Sequence, residues 1–73
     1  MFTAIKDIYD AFPDHSVAVT PRPDGKWLLS MCRNDRLELT RAFDGEAVFC
    51  KRRMHALIRD VALEMASLAR RSA

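Results

Sequence analysis

A short stretch of alternating residues, Lys26–Arg33, constrains the fold of this chain more than any other feature of the sequence. Its odd positions are Trp27, Leu29 and Met31, and its even positions are mostly smaller or polar. Side chains of a strand alternate between two faces, so these three residues share one apolar side. The pattern predicts a strand with one face in the protein core.

A strong turn sequence, Arg22–Gly25, precedes this strand. Proline presets the backbone angle at the second turn position, aspartate suits the third, and glycine accepts the positive φ of the fourth. A three-residue loop of this kind pairs Arg22 with Lys26, which sets Val19 opposite Leu29. Turn chemistry and hydrophobic alternation therefore agree on an antiparallel hairpin whose first strand runs over about His15–Pro21.

The second turn allows two registers. Asn34-Asp35 suits a two-residue turn because both residues tolerate left-handed geometry, but that register mixes polar and apolar side chains on each face. A three-residue loop, Arg33–Asp35, instead pairs Met31 with Leu37 and keeps the apolar residues together. Because a slip of one residue moves every side chain to the other face, we expect the three-residue loop, followed by a third strand over Arg36–Phe43.

Both ends of the chain have helical periodicity. Apolar residues at spacings of three and four predict a helix over 2–12, which ends before Pro13 because the residue preceding proline avoids helical geometry. A longer helix is predicted from about Lys51 to Arg71. Its apolar stripe consists of Met54, Leu57, Ile58, Val61, Met65 and Leu68. Asp44 is placed to cap the segment after the third strand, and residues 46–50 either open the long helix or form a separate turn.

These elements predict an α+β fold with the order α-β-β-β-α. The sheet is a three-stranded antiparallel sheet in the order 1-2-3, and both helices pack on the face that carries Trp27. A chain of 73 residues is expected to form one domain over 1–73. So short a domain buries only about 60% of its unfolded surface and is marginally stable alone. We therefore expect a homodimer.

Two surfaces lack an obvious cover and are the candidate protein interfaces. The first is the face of the sheet opposite Trp27, here called the outer face. It is centred on Ala18, Leu28, Ser30 and Thr40, and the predicted register adds Glu38 beside Ser30. The second, here called the helix patch, consists of Ala56, Leu63 and Ala66. The expected partners are a second copy of the chain and an unidentified protein, while scattered apolar residues on a monomer are the alternative.

Catalytic and metal-binding patterns are not found in the sequence. Cys32 and Cys50 lie in separate elements, and the spacing from Cys50 to His55 is not a metal motif. Most aspartates occur at turns and helix ends, where capping explains them. We therefore expect no enzyme activity and no cofactor. Neither a signal peptide nor a membrane-spanning apolar run is recognised, which favours a cytoplasmic protein with reduced thiols.

Nucleic-acid binding is the alternative function. The candidate phosphate contacts near the outer face are Arg22, Lys26, Arg33 and Arg36. The segments Asp24–Trp27 and Arg41–Phe43 resemble the arm-binding domains of tyrosine recombinases, in which a three-stranded sheet enters the major groove. A central Glu38 on the same face and a net charge of +2 argue against this function.

Three further segments resemble small domain-of-unknown-function families of pseudomonads: Ala11–Pro13, Pro21–Leu29 and Leu57–Glu64. The resemblance covers most of the chain, although the second turn departs from the usual pattern because it lacks a glycine. It implies a strand-rich middle, a C-terminal helix and a bacterial cytoplasmic setting. It implies no activity, because none is assigned to those families.

Overall fold

The computed structural model describes residues 4–72, and the side chains of residues 4–71. The elements are α1 (Ile5–Ala11), β1 (Ser16–Pro21), β2 (Lys26–Arg33), β3 (Arg36–Asp44), a 3-10 turn (Gly45–Phe49) and α2 (Lys51–Ser72). The strands form one antiparallel sheet in the order β1-β2-β3. The predicted α-β-β-β-α fold is confirmed; positions 2 and 3 of the predicted first helix lie outside the described residues.

The first hairpin forms as the turn sequence predicts. Gly25 has a φ of +84°, a value that few other residues adopt without strain. The backbone N–H of Arg22 donates to the carbonyl of Lys26 at 2.8 Å. Val19 consequently pairs with Leu29, and the predicted register of β1 and β2 is confirmed along its length.

The second hairpin has a two-residue turn, so the predicted three-residue loop is wrong. Asn34 and Asp35 both adopt left-handed geometry, with φ values of 53° and 62°. Two successive positive φ values match the twist of the flanking strands, which is why this turn connects hairpins well. Arg33 and Arg36 are therefore opposite each other, directly beside the turn.

A β-bulge reconciles this turn with the hydrophobic pattern. Cys32 pairs with Leu37, whereas Met31 pairs with Leu39, so Glu38 has no register partner on β2. The extra residue restores the alternation beyond it, and Leu39 is buried. Neither of the two predicted registers included a bulge, although a bulge satisfies the local turn and the pattern of faces together.

The two-residue turn and the bulge together change which residues pair on the buried face. Trp27 pairs with Phe43, not with Arg41 as the three-residue loop would require, and Arg41 lies opposite Leu29. The guanidinium of Arg41 donates instead to the carboxylate of Glu64 on α2. This contact ties the helix to the sheet at the edge of the core.

Both helices pack on that buried face. Ile8 of α1 is fully buried, and the N–H of Ala4 donates to the carbonyl of Val48 at 2.7 Å. On the exposed side of α1, Lys6 donates to the Asp10 carboxylate at 2.8 Å, and this hydrogen bond raises the pKa of the Lys6 ammonium. The predicted apolar stripe of α2 is confirmed. Met54, Leu57 and Val61 are buried, and Ile58, Met65 and Leu68 pack against them while partly buried.

The segment after β3 is a separate 3-10 turn and does not open α2. The carboxylate of Asp44 accepts a hydrogen bond from the N–H of Glu46 at 3.0 Å, as its capping position predicts. Within the turn, Val48 is buried while Phe49 is 54% exposed. The turn begins at Gly45, where a Cβ would lie 2.9 Å from the carbonyl oxygen of Gly25. Only a residue without a side chain fits this approach.

Candidate functional site

The outer face lies on the opposite side of the sheet from the helices. Ala18, Ser30 and Thr40 occupy one row across the three strands, and Leu28 lies in the next row between Thr20 and Ala42. Ser30 and Leu28 on the central strand are half-buried, whereas their neighbours on the edge strands are exposed. The structure thus brings the four predicted outer-face residues together on one small, uncharged surface.

Glu38 does not lie beside Ser30, and that part of the sequence prediction is wrong. The bulge puts Thr40 opposite Ser30 and turns Glu38 toward the helix side of the sheet. There the Glu38 carboxylate lies 2.8 Å from Nε2 of His15 and 3.5 Å from the guanidinium of Arg33. The centre of the outer face therefore lacks the negative charge that the predicted register assigned to it.

The helix patch is exposed, and its three residues lie along one side of α2. Leu63 is 63% exposed, and Ala56, two helical turns earlier, is also exposed. Ala66, one helical turn after Leu63, also lines a cleft beside the second hairpin. One large apolar side chain remains, which is common on the surface of a monomer.

The predicted nucleic-acid contacts form two groups at opposite ends of β2. Arg22 is joined to Lys26 through the backbone beside the first turn, and Arg33 pairs with Arg36 beside the second. Lys26 and Arg33 are the end residues of β2, roughly 23 Å apart at about 3.3 Å per residue. The structure therefore does not bring these four residues into one basic cluster, and Arg33 and Arg36 line a cleft with residues of α2 on the helix side of the sheet, not near the outer face.

A cleft of about 670 Å³ opens beneath the tip of the second hairpin. We call it the basic cleft. It is lined by Met65, Ala66, Leu68 and Ala69 of α2, by Arg33, Arg36 and Glu38 of the hairpin, and by His15. Its floor is apolar, and its rim carries two arginines and one carboxylate. Its lining is half apolar and half polar, so it offers both an apolar surface and charged groups to a ligand.

Contacts of the Glu38 carboxylate with His15 and Arg33 fix the polar wall of the basic cleft. The side chain of His15 is 12% exposed and that of Glu38 is 29% exposed, so their contact is largely shielded from water. The ring of Phe12 packs edge-on against the imidazole of His15, with centroids 6.4 Å apart. Arg36 has no ion-pair partner among the described side chains.

The basic cleft was not predicted from the sequence, although the predicted helix α2 is longer than the strand it covers, which indicates an opening at its end. The 22 residues of α2 span about 33 Å at 1.5 Å per residue. The eight residues of β2 span about 26 Å at 3.3 Å per residue. A helix longer than the strand it covers continues past the sheet, and its last apolar residues, Met65 and Leu68, then line an opening.

Cys32 and Cys50 both have free thiols and lie half-buried in separate elements. Within residues 4–72, no group of three or more His, Cys, Asp and Glu side chains is arranged to hold a metal ion. Over the same residues, neither helix combines the length and the apolar character needed to cross a bilayer.

Comparison of the chain with family models, curated proteins and solved structures found no match. The resemblance to pseudomonad families of unknown function therefore stays a prediction from three short segments of sequence.

Proposed function

We propose that this protein is a non-enzymatic bacterial cytoplasmic module that acts through protein–protein contact and associates as a homodimer through its outer face. The observation that supports the proposal is the uncharged centre of that face. Its row of Ala18, Ser30 and Thr40 lies beside Leu28, the large apolar residue at the middle of the central strand. The bulge keeps Glu38 away from this surface.

The chemistry of the outer face suits the packing of two sheets. Facing sheets lie about 10 Å apart and interdigitate their inner side chains. On the outer face, two larger apolar residues, Leu28 and the exposed Leu37 opposite Cys32, can interdigitate above the shorter ones. A two-fold axis brings the same residues of both copies together, and an uncharged centre avoids repulsion between like charges. Burial of Leu28 in this way adds to the limited core of a small domain.

Solution mass by light scattering over a range of concentrations tests this proposal. Leu28→Glu introduces a charge at the middle of the outer face, and we expect a folded monomer at concentrations where the unchanged protein is a dimer. Leu63→Glu is the matched control, because it places the same charge on the exposed side of α2. A monomeric wild type, or a dimer broken by Leu63→Glu and not by Leu28→Glu, would refute the outer-face interface.

A second candidate function is nucleic-acid binding by the outer face, which the position of Glu38 favours, although Arg33 and Arg36 lie on the helix side and line the basic cleft. The loss of that carboxylate from the outer face removes one objection to a phosphate-binding surface. Gel retardation of random-sequence DNA at low salt provides the test, because phosphate contacts weaken steeply as salt rises. Retardation should require Arg22 and Lys26 at the outer face. It should survive replacement of Arg33 and Arg36, which line the basic cleft, and the control replacement of Lys51, Arg52, Arg59 and Arg70 by alanine. No retardation by the wild type would refute it.

A further inference from the structure

We propose that the basic cleft binds an amphiphilic organic anion, a carboxylate joined to an unbranched aliphatic body. The carboxylate lies between Arg33 and Arg36, and the aliphatic body lies on Met65 and Leu68. The cleft is on the helix side of the sheet. The proposal is therefore independent of any association through the outer face.

The two arginines supply the first argument. Arg33 and Arg36 are register partners beside the turn, so two positive charges stand directly opposite each other, an arrangement that destabilises a hairpin. The carboxylate of Glu38 lies 3.5 Å from Arg33 and is also bound by His15 at 2.8 Å. Arg36 has no ion-pair partner among the described residues. A bound anion compensates this charge, and a planar guanidinium suits a carboxylate.

The apolar floor supplies the second argument. Met65 and Leu68 are partly buried against the core but also line the cleft, and the neighbouring Ala66 and Ala69 leave space above them. The unbranched, polarisable side chain of methionine adapts to irregular apolar ligands. A volume of about 670 Å³ accommodates a small ligand. The carboxylate of the ligand thus faces the two arginines, and its aliphatic body contacts the apolar floor.

The four methionines make the test specific, because two of them report on the core and one on the cleft. The protein is labelled with ¹³C at the methionine methyl groups and titrated with sodium octanoate, with octan-1-ol as the neutral counterpart. We expect the Met65 signal to shift saturably with octanoate and much less with octan-1-ol. The signals of Met31 and Met54, which are fully buried, should stay constant and also report that the fold is intact.

Two double variants distinguish an effect of the charges in the basic cleft from an effect of the net charge of the protein. Arg33→Gln with Arg36→Gln should weaken octanoate binding about tenfold, as expected for the loss of a charge-assisted contact. Arg22→Gln with Lys26→Gln removes the same charge at the other end of the sheet and should leave binding unchanged. A third variant, Ala69→Trp, should fill the cleft and abolish binding.

Any of three results would overturn the proposal: no shift of Met65, equal binding of octan-1-ol, or equal weakening by both double variants. A shift of Met31 and Met54 together with Met65 would also overturn it, because the ligand would then act on the whole fold. The solution mass, measured on the same samples, shows whether the outer faces associate. A monomer that binds octanoate therefore refutes the dimer without refuting the cleft.

Discussion

His15 and Glu38 join the two edge strands of the sheet across the end of the central strand, with Nε2 and Oε1 2.8 Å apart. His15 precedes β1, and Glu38 is the bulged residue of β3. The contact exists because the bulge turns a carboxylate inward at the level where the first strand begins. One irregularity of the backbone thus links the ends of the sheet and forms the wall of the basic cleft.

Loss of this carboxylate should destabilise the fold. Glu38→Ala removes the partner of His15 and the ion pair of Arg33, so we expect a loss of about 1 kcal/mol in the free energy of unfolding. Urea denaturation monitored by circular dichroism measures it. Glu46→Ala is the control, because Glu46 forms an exposed ion pair with Arg53, and its removal should change stability by less than about 0.5 kcal/mol.

Deletion of Glu38 should be tolerated, whereas deletion of Thr40 should not. Without Glu38, the ladder runs unbroken from Leu37 opposite Cys32 to Leu39 opposite Met31, and every other residue keeps its face. Deletion of Thr40 moves the rest of β3 to the wrong face and exposes Phe43. Amide NMR spectra of the two deletions should show a folded and an unfolded protein respectively. Two unfolded proteins would contradict the proposed role of the bulge.

Glycine in the second turn should stabilise the hairpin. Asp35 has a φ of 62°, and left-handed geometry costs less for glycine than for a residue with a side chain. Asp35→Gly is therefore expected to increase the free energy of unfolding by about 0.5 kcal/mol, since Asn-Gly favours this turn type. Thermal unfolding measures the gain. A decrease in stability would show that the Asp35 side chain has a role the geometry does not reveal.

Gly45 should be intolerant of any side chain. In Gly45→Ala the new Cβ would meet the Gly25 carbonyl at 2.9 Å and the indole of Trp27 at 3.1 Å, so we expect a loss of about 1–3 kcal/mol. The fluorescence of Trp27 should change as well. Gly25→Ala is the comparison, because its Cβ would meet nothing within 4 Å and the strain comes from the φ of +84° alone. Gly25→Ala should lower the free energy of unfolding by about 1 kcal/mol without altering the fluorescence of Trp27.

The sequence predicted those parts of the fold in which two independent signals coincide. The turn at Gly25 and the alternation around Leu29 specified one register, and the period of Met54, Leu57 and Val61 specified the buried side of α2. At the second hairpin the turn and the alternation disagreed. The predicted three-residue loop satisfies the alternation alone, whereas an extra residue at Glu38 satisfies both.

The candidate surfaces were predictable to different extents. Ala18, Ser30 and Thr40 share a face because the side chains of each strand alternate whatever the pairing between strands. Which residue of β3 lies opposite Ser30, however, depends on the register of β2 and β3. The basic cleft depends on where α2 ends relative to the sheet and on the direction of Glu38. Neither is encoded in a local pattern, so the contact of residues 15 and 38 appears only in three dimensions.

The bulge also decouples the hairpin tip from the rest of the protein. Residues on the turn side of Glu38 keep the geometry that Asn34 and Asp35 impose, while residues beyond it follow the core. A change in loop length at the tip can be compensated by a change at the bulge, so that the pairing of Leu39 with Met31 is kept. The two turn residues between Arg33 and Arg36 are therefore the place where natural variation should accumulate and where a foreign peptide epitope could be inserted without disturbing the interior.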